Sequence, residues 1–235
     1  MALAPFPDDW SRALCIVAHP DDLEYGAAGA IACWTAAGKE VSYLLVTRGE
    51  AGIDSLAPDE AAPLREAEER ASAAVVGVDA VEFLDGHHDG VVEYGLPLRR
   101  DLAVAIRRHR PELLVSINYR ETFGGPTFNM ADHRNVGLAV LDAARDAGNR
   151  WVFTGEGDPW PGVRRVAFGG SPVATHFVNL GDALELGIAS LRKHDAYIRG
   201  LGNDFDADAF LRGFARTAGQ EVGCEYAATF EVYEL

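Results

Sequence analysis

The sequence is short of cysteine, of basic charge and of long apolar runs, and each shortage removes a class of protein. Its three cysteines, Cys15, Cys33 and Cys224, are widely spaced and form no CxxC pair. So sparse and odd a set excludes a disulfide framework and fits reduced thiols in a reducing compartment, each acting as a small buried hydrophobe. Lys and Arg number 21 against 36 Asp and Glu, a formal charge of −15. That deficit argues against nucleic acid or an anionic membrane as a partner, because either selects a basic face. No apolar run approaches the roughly 18 residues of a membrane span. The opening MALAPFPDDW lacks the basic region and apolar core of a signal peptide. A cytoplasmic protein is the expectation.

What is present is ordinary globular material, 48% apolar and 24% charged over 235 residues. That length suits one sizeable core. A single domain over 1–235 is expected, with its core at about 12–150 and an elaboration at about 151–235. The chain is organised around CIVAHPDDLEYGAAG at 15–29. An apolar run, 14–18, stops at His19-Pro20-Asp21-Asp22, and a small-residue segment then opens a helix expected over 27–38. This is the pattern of a buried parallel strand that delivers a polar turn to the carboxyl end of a sheet, where α/β proteins place their chemistry. A second strand, 41–47, runs into the glycine-punctuated turn 48–52, and a third, 81–84, into 85–90. Helices are expected over 58–77 and 96–110, a fourth strand over 113–117, and a helix from Ala131 to about Gly148. Arg65, Glu66, Glu68, Glu69 and Arg70 read mostly as a solvated helix face with charge pairs three and four apart. Beyond Trp151 the spacing predicts strands at 164–168, 175–178 and 226–233, and helices at 182–199 and 207–217. The alternation defines an α/β protein with a Rossmann-like, mostly parallel sheet and extra C-terminal strands and helices.

His19, Asp21 and Asp22 place one imidazole and two carboxylates within four residues, stiffened by Pro20. Imidazole and carboxylate suit a divalent metal such as zinc, and a carboxylate left over can serve as a base. Capping of the following helix by His19 and Asp22 is the plain alternative. The long, aromatic, glycine-rich loop 118–130 delivers His133 to the start of a helix. Alone, His133 reads as a surface or capping residue. Together with the first motif it completes a His19–Asp22–His133 set, three protein ligands with one position left for water. Asp21 would then stand unligated and take a proton from that water. Tyr119, Phe123, Phe128 and Trp160 form either an aromatic wall for a substrate or loop packing against the core.

Five stretches in order, AHPDDLEYGAAG, LLVTRGEAG, LREAEERASAAVVGV, the DG of HHDG, and ADHRNVG, resemble the LmbE-like, or PIG-L, zinc-dependent deacetylases. The likeness runs from about Leu14 to Gly137 and weakens to a hint at THFVNLGDALELGIASLRKH. It implies a three-layer LmbE-like fold and a Zn2+ ion, or another divalent metal, on His19, Asp22 and His133. It further implies Asp21 as general base, Glu50 lining the pocket, and Arg65 and Asp89 on sugar hydroxyls, with a helix-surface salt bridge as the alternative for Arg65. The implied reaction removes an acyl group, acetyl foremost, from an N-acylated amino sugar or glycoside. Relatives form several assemblies, so a homo-oligomer is compatible with the likeness. One departure matters. The family's second motif usually reads His-Pro-Asp-His, and here those positions hold Met130-Ala131-Asp132-His133. In relatives the first histidine is a candidate for stabilising the oxyanion or protonating the leaving amine, and losing such a donor costs about a hundredfold or more in rate. Asn129, Asn118, Tyr119, His87, His88 and His194 are all open as replacements.

Three other readings stand beside the deacetylase. An amidase acting on a thiol conjugate or a secondary-metabolite acyl amide would use the same site with a different pocket. A catalytically weakened metal- or sugar-binding relative is suggested by Met130. A nucleotide-binding oxidoreductase is disfavoured, because the first turn lacks GxGxxG and its carboxylates would repel a pyrophosphate.

Overall fold

The computed structural model describes residues 2–202 and 206–235. Strand β2 (Arg12–Val17) follows the short β1 (Ala4–Pro5) and is buried on both faces. Cys15 and Val17 point into one core with Ile31 and Trp34, while Leu14 and Ile16 point into the other. Burial on both faces is why the strand reads as a continuous apolar run. Each Leu, Ile or Val sunk in these cores contributes about 1.5–3 kcal/mol of transfer free energy.

β3 (Glu40–Leu45), β4 (Ala80–Phe83), β5 (Leu113–Ile117) and β6 (Arg165–Gly169) pair in parallel with β2 in the spatial order β4-β3-β2-β5-β6. The chain reverses its direction across the sheet between β2 and β5. At such a switch point the loops diverge and open a crevice at the carboxyl ends. The late β8 (Ala227–Glu234) pairs antiparallel with both β6 and β7 (His176–Asn179), and β1 completes the 8-stranded sheet beside β7.

Helices cover both faces. α4 (Leu96–His109) and α5 (Ala131–Gly148) lie on one, through Leu98, Leu102, Ile106, Val136 and Val140. On the other lie α1 (Asp22–Gly26), α2 (Ala28–Ala36), α3 (Pro58–Val75), α6 (Ala183–Leu191) and α8 (Ala207–Val222), through Leu23, Ile31, Ala73, Ile188 and Leu211. The α/β class and parallel core are as expected. Among the described residues no helix is long and apolar enough to cross a membrane.

The helix expected over 27–38 is α2, preceded by the short α1. Two local expectations need correction. The helix expected over 182–199 is two, α6 and α7 (Asp195–Gly200). There Glu68 Oε1 accepts from the Ala196 amide at 2.6 Å, a donor that a continuous helix would turn to its own carbonyls, and His194 is wholly buried at the break. The charged face of α3 is not solvated: Arg65, Glu68 and Glu69 are 2%, 9% and 1% exposed. Their polar partners come from other segments, which is what makes the burial tolerable.

Candidate active site

The turn after β2 carries its chemistry on a strained backbone. Asp21 sits in the left-handed region at φ 80°, which non-glycine residues rarely adopt. Two buried side chains from α3 hold it there. Arg65 Nη2 donates to Asp21 Oδ2 at 2.5 Å and to the Pro20 carbonyl at 2.7 Å, and Glu69 Oε2 accepts from the Asp21 amide at 3.1 Å. Arg65 Nη1 donates to the Gly49 carbonyl at 3.0 Å, tying in the turn after β3. A side chain on Gly49 or Gly52 would collide with this guanidinium, each added Cβ lying 2.3 Å from Nη1. Behind Asp21, His194 Nε2 lies 3.7 Å from Glu24 and 3.6 Å from Glu69. Burial and the Glu24 charge push Glu69 well above the ordinary carboxylate range.

Asp22 stands between two imidazoles. His133 Nε2 is 3.0 Å from its Oδ1 and His19 Nδ1 is 3.6 Å from its Oδ2. The donor atoms of His19, Asp22 and His133 all lie within 4.8 Å of one another. The hydrogen bonds around His133 settle its tautomer. Asn129 Nδ2 donates to the carbonyls of Asn118 and Arg120 at 2.7 and 2.9 Å, so its Oδ1 must face His133 Nδ1, 2.9 Å away. His133 therefore donates its Nδ1 hydrogen to Asn129, which leaves Nε2 as the ring atom turned to Asp22 and available to a metal. His19 is turned the other way. Its Nε2 faces Asp89 Oδ1 at 3.0 Å and Asp132 Oδ2 at 3.2 Å, leaving Nδ1 on the Asp22 side. Asp132 also accepts from the Gly90 and Val92 amides at 2.7 and 3.2 Å, and Asp89 from the Ala51 amide at 2.9 Å. These carboxylates therefore fix the ring orientation of His19.

The electrostatics suit a cation. Burial disfavours charge on both His19 and Asp22. Even so, Asp22, Asp132 and Asp89 hold the His19 imidazole well above its ordinary pKa, and His133 with His19 holds the Asp22 carboxyl well below its own. Burial pushes Asp21 up to about 7, with Arg65 opposing and the Asp22 charge adding to the rise. Two imidazole nitrogens and a carboxylate that converge amid excess negative charge fit a small divalent metal, which would displace the imidazole protons.

A cavity of about 690 Å³ opens above these groups. His19, Asp21, Asp22, Asp89, Arg65 and His133 lie in its floor, and Phe123, Tyr25, Tyr197, Phe210 and Phe214 rise around it. Of the aromatics that the sequence suggested, Phe123 alone lines it, with its ring centroid 6.0 Å from that of His133. Tyr119 packs on Phe168 at 4.4 Å, Trp160 donates to the Pro111 carbonyl at 2.7 Å, and Phe128 is exposed beneath Arg134. Tyr25, Tyr197, Phe210 and Phe214 went unnoticed because apolar helix positions read as core. Asp132, next to His133, carries no signal of its support role in the sequence, and Asn129, a candidate replacement for the missing histidine, instead holds His133.

Glu50 is not in the cavity wall. Its Oε1 accepts from the Asp89 amide at 3.1 Å and its Oε2 from the Arg48 amide at 3.1 Å, which fastens the 85–90 turn to the turn after β3. Met130 does line the cavity, and its thioether side chain has no hydrogen to donate. None of the residues open as a replacement for the missing histidine brings a spare donor there. Asn129 and Asn118 are committed to the loop backbone, with Asn118 Nδ2 donating to Thr122. Tyr119 bonds the Tyr233 hydroxyl at 2.6 Å, and His87 lies 3.0 Å from Asp101. His88 faces Glu50 from the exposed rim, and His194 is sealed behind Asp21.

A crevice at the switch point of a Rossmann-like sheet, with a His–Asp–His donor set beside a spare carboxylate, fits hydrolysis assisted by a divalent cation. The family described as "PIG-L: GlcNAc-PI de-N-acetylase" matches residues 14–144. Diacetylchitobiose deacetylase of Thermococcus kodakarensis is 30% identical over 235 residues, 95% of this chain and 83% of that protein. Among solved structures, N,N'-diacetylchitobiose deacetylase from Pyrococcus horikoshii superposes with a TM-score of 0.86 at 26% identity, covering 96% of this chain and 85% of that one. The 4-carboxy-2-hydroxymuconate hydratase GalB from Pseudomonas putida shares the fold at a TM-score of 0.73 and 20% identity, covering 96% and 97%. The chain belongs to the PIG-L family of de-N-acetylases. It is an N-deacetylase by that membership; the GalB likeness shows that the fold alone would not establish the chemistry.

Proposed function

We propose that His19 Nδ1, Asp22 and His133 Nε2 hold one zinc ion, and that the protein hydrolyses the acetamide of an N-acetylated amino sugar. The observation that carries the reading is the pairing of tautomer-locked donors with a spare, buried carboxylate beside them. Two imidazoles and a carboxylate are a set that catalytic zinc commonly takes, with one position left open. When bound, the ion supplies Lewis acidity, polarising the amide carbonyl and making a water acidic enough to lose a proton near neutral pH.

The chain does the rest. Asp21, with its carboxyl raised to about 7 chiefly by burial, is poised to accept a proton from the attacking water. The same carboxyl then returns that proton to the departing nitrogen, so one group serves both halves of the reaction. Arg65 fixes Asp21 in its left-handed conformation and keeps the carboxylate aimed at the floor. Asp89, anchored by the Ala51 amide, is the floor group best placed to meet a sugar hydroxyl, while Arg65 and Glu50 act through Asp21 and through the Asp89 turn. The diacetylchitobiose deacetylases of similar sequence make a glucosamine-type substrate the first choice.

The test is acetate release from N-acetylglucosamine and N,N'-diacetylchitobiose by zinc-reconstituted protein. Turnover that disappears on chelation and returns with zinc is expected. Metal-replete protein that hydrolyses neither sugar, yet cleaves a non-sugar acyl amide, would move the assignment to an amidase.

A further inference from the structure

The cavity floor is rich in hydrogen-bond acceptors and poor in donors. An amide carbonyl under attack gathers negative charge on its oxygen, and a donor aimed at that oxygen is commonly the largest contribution a side chain makes. His19 and His133 commit their protons to carboxylate and amide oxygens, and Arg65 commits both terminal nitrogens to Asp21 and backbone carbonyls. Asn118 donates to Thr122, Met130 cannot donate, and Thr127 sits on the exposed rim.

Tyr197 is different. Its ring lies on the Arg65 guanidinium, 4.2 Å from the centroid, and Arg65 is in turn bound to Asp21. Its hydroxyl has no hydrogen-bond partner among the described residues and is not buried, and the residue lines the cavity wall. A rigidly stacked phenol with an uncommitted proton, in reach of the field of Asp21 and Asp22, is what an oxyanion donor requires.

We propose that the phenol of Tyr197 is the hydrogen-bond donor this site offers to the amide oxygen as it becomes negative, an inference that rests on the deacetylase reading above. The step forms one bond, from the water oxygen to the carbonyl carbon, and then breaks the C–N bond. Asp21 carries the water's proton to the nitrogen, and Tyr197 keeps its own throughout. Burial and the Asp21 charge push the phenol further above its ordinary range, so it remains a donor at working pH. The geometry also accounts for methionine at position 130: the donor comes from α7, across the cavity, rather than from the start of α5.

Tyr197→Phe tests this on the zinc-loaded full chain, because phenylalanine preserves the stack on Arg65 and removes only the hydroxyl. On an N-acetylated amino sugar kcat is expected to fall about 10–100-fold with KM changed less than about threefold. Calorimetric affinity for methylphosphonate, a tetrahedral anion shaped like the attacked acetyl group, is expected to fall about tenfold. Wild-type affinity for methylphosphonate in Tyr197→Phe overturns the proposal, as does a loss that appears in Tyr25→Phe instead. If the wild type releases acetate from no amino sugar, the substrate reading fails, and the methylphosphonate comparison still decides the role of Tyr197.

Discussion

The floor of the cavity and its wall are built by opposite rules. The floor comes from the turns after β2 and β4, from α3 and from the start of α5. Its groups are charged and buried, and each is held by a second group: His133 by Asn129, His19 by Asp89 and Asp132, Asp21 by Arg65. The wall comes in large part from α1, α7 and α8, is aromatic, and stays partly open, with Phe210 and Phe214 at 38% and 63% exposed. A floor of interlocked charges fixes one chemistry. A half-exposed aromatic wall can change partners at little cost in stability, so substrate choice is expected to reside there. Substitutions in the two regions should therefore fail in different kinetic constants.

The largest separation is expected at Asp21. Asp21→Asn should lower kcat by about 10³–10⁴-fold with KM little changed, since it removes the proton acceptor and leaves the donor set intact; steady-state acetate release checks it. A KM effect of equal size would place Asp21 in substrate binding instead. Next comes Asn129→Leu, which removes the acceptor that sets the His133 tautomer. Metal affinity measured by chelator competition should drop about 10–100-fold. Smaller again is the wall. Phe214→Ala should raise KM about 3–10-fold with kcat within twofold, because a stacking surface stabilises substrate and transition state alike. A fall in kcat alone would abolish the distinction between floor and wall.

The smallest effect lies where the loop after β5 is tied to β8. Arg120 pairs with Glu231, and Ser171 Oγ donates to the same carboxylate at 2.7 Å. Burial opposes ionisation of Glu231, yet Arg120, Tyr233 and Ser171 outweigh it and hold its carboxyl below the ordinary range. A depressed folded-state pKa gives stability that is present above the unfolded value, near 4.3, and is lost as pH falls through the folded one. Thermal melts from pH 6 down to pH 3 should therefore show a steeper loss for the wild type than for Glu231→Gln.

The two regions also differed in what the sequence disclosed. The apolar run of β2, the turn His19-Pro20-Asp21-Asp22 and the loop leading to His133 are local patterns, and the sheet needs only parallel pairing to bring them together. The wall depends on contacts between distant segments: Tyr25 meets Phe210 edge-on at 5.7 Å, although 185 positions separate them. An aromatic on a helix carries no mark of whether it faces a core or a cavity. The charged run of α3 misled for the converse reason. Arg65 and Glu69 alternate with exposed neighbours like a surface face, and only the turn at Asp21 shows why they are buried. The break before α7 was hidden because Arg192, Lys193 and His194 have ordinary helix propensities, and the bond from Ala196 to Glu68 spans 128 positions.

The central claim is that metal holding and proton transfer are divided between adjacent aspartates, Asp22 and Asp21. It is tested most directly by titrating zinc into metal-free wild type, Asp21→Asn and Asp22→Asn and reading stoichiometry and affinity calorimetrically. The account predicts about one zinc per chain in the wild type and Asp21→Asn at similar affinity, with Asp22→Asn weakened about a hundredfold or more. Equal loss of zinc from both variants, or none from Asp22→Asn, would contradict it.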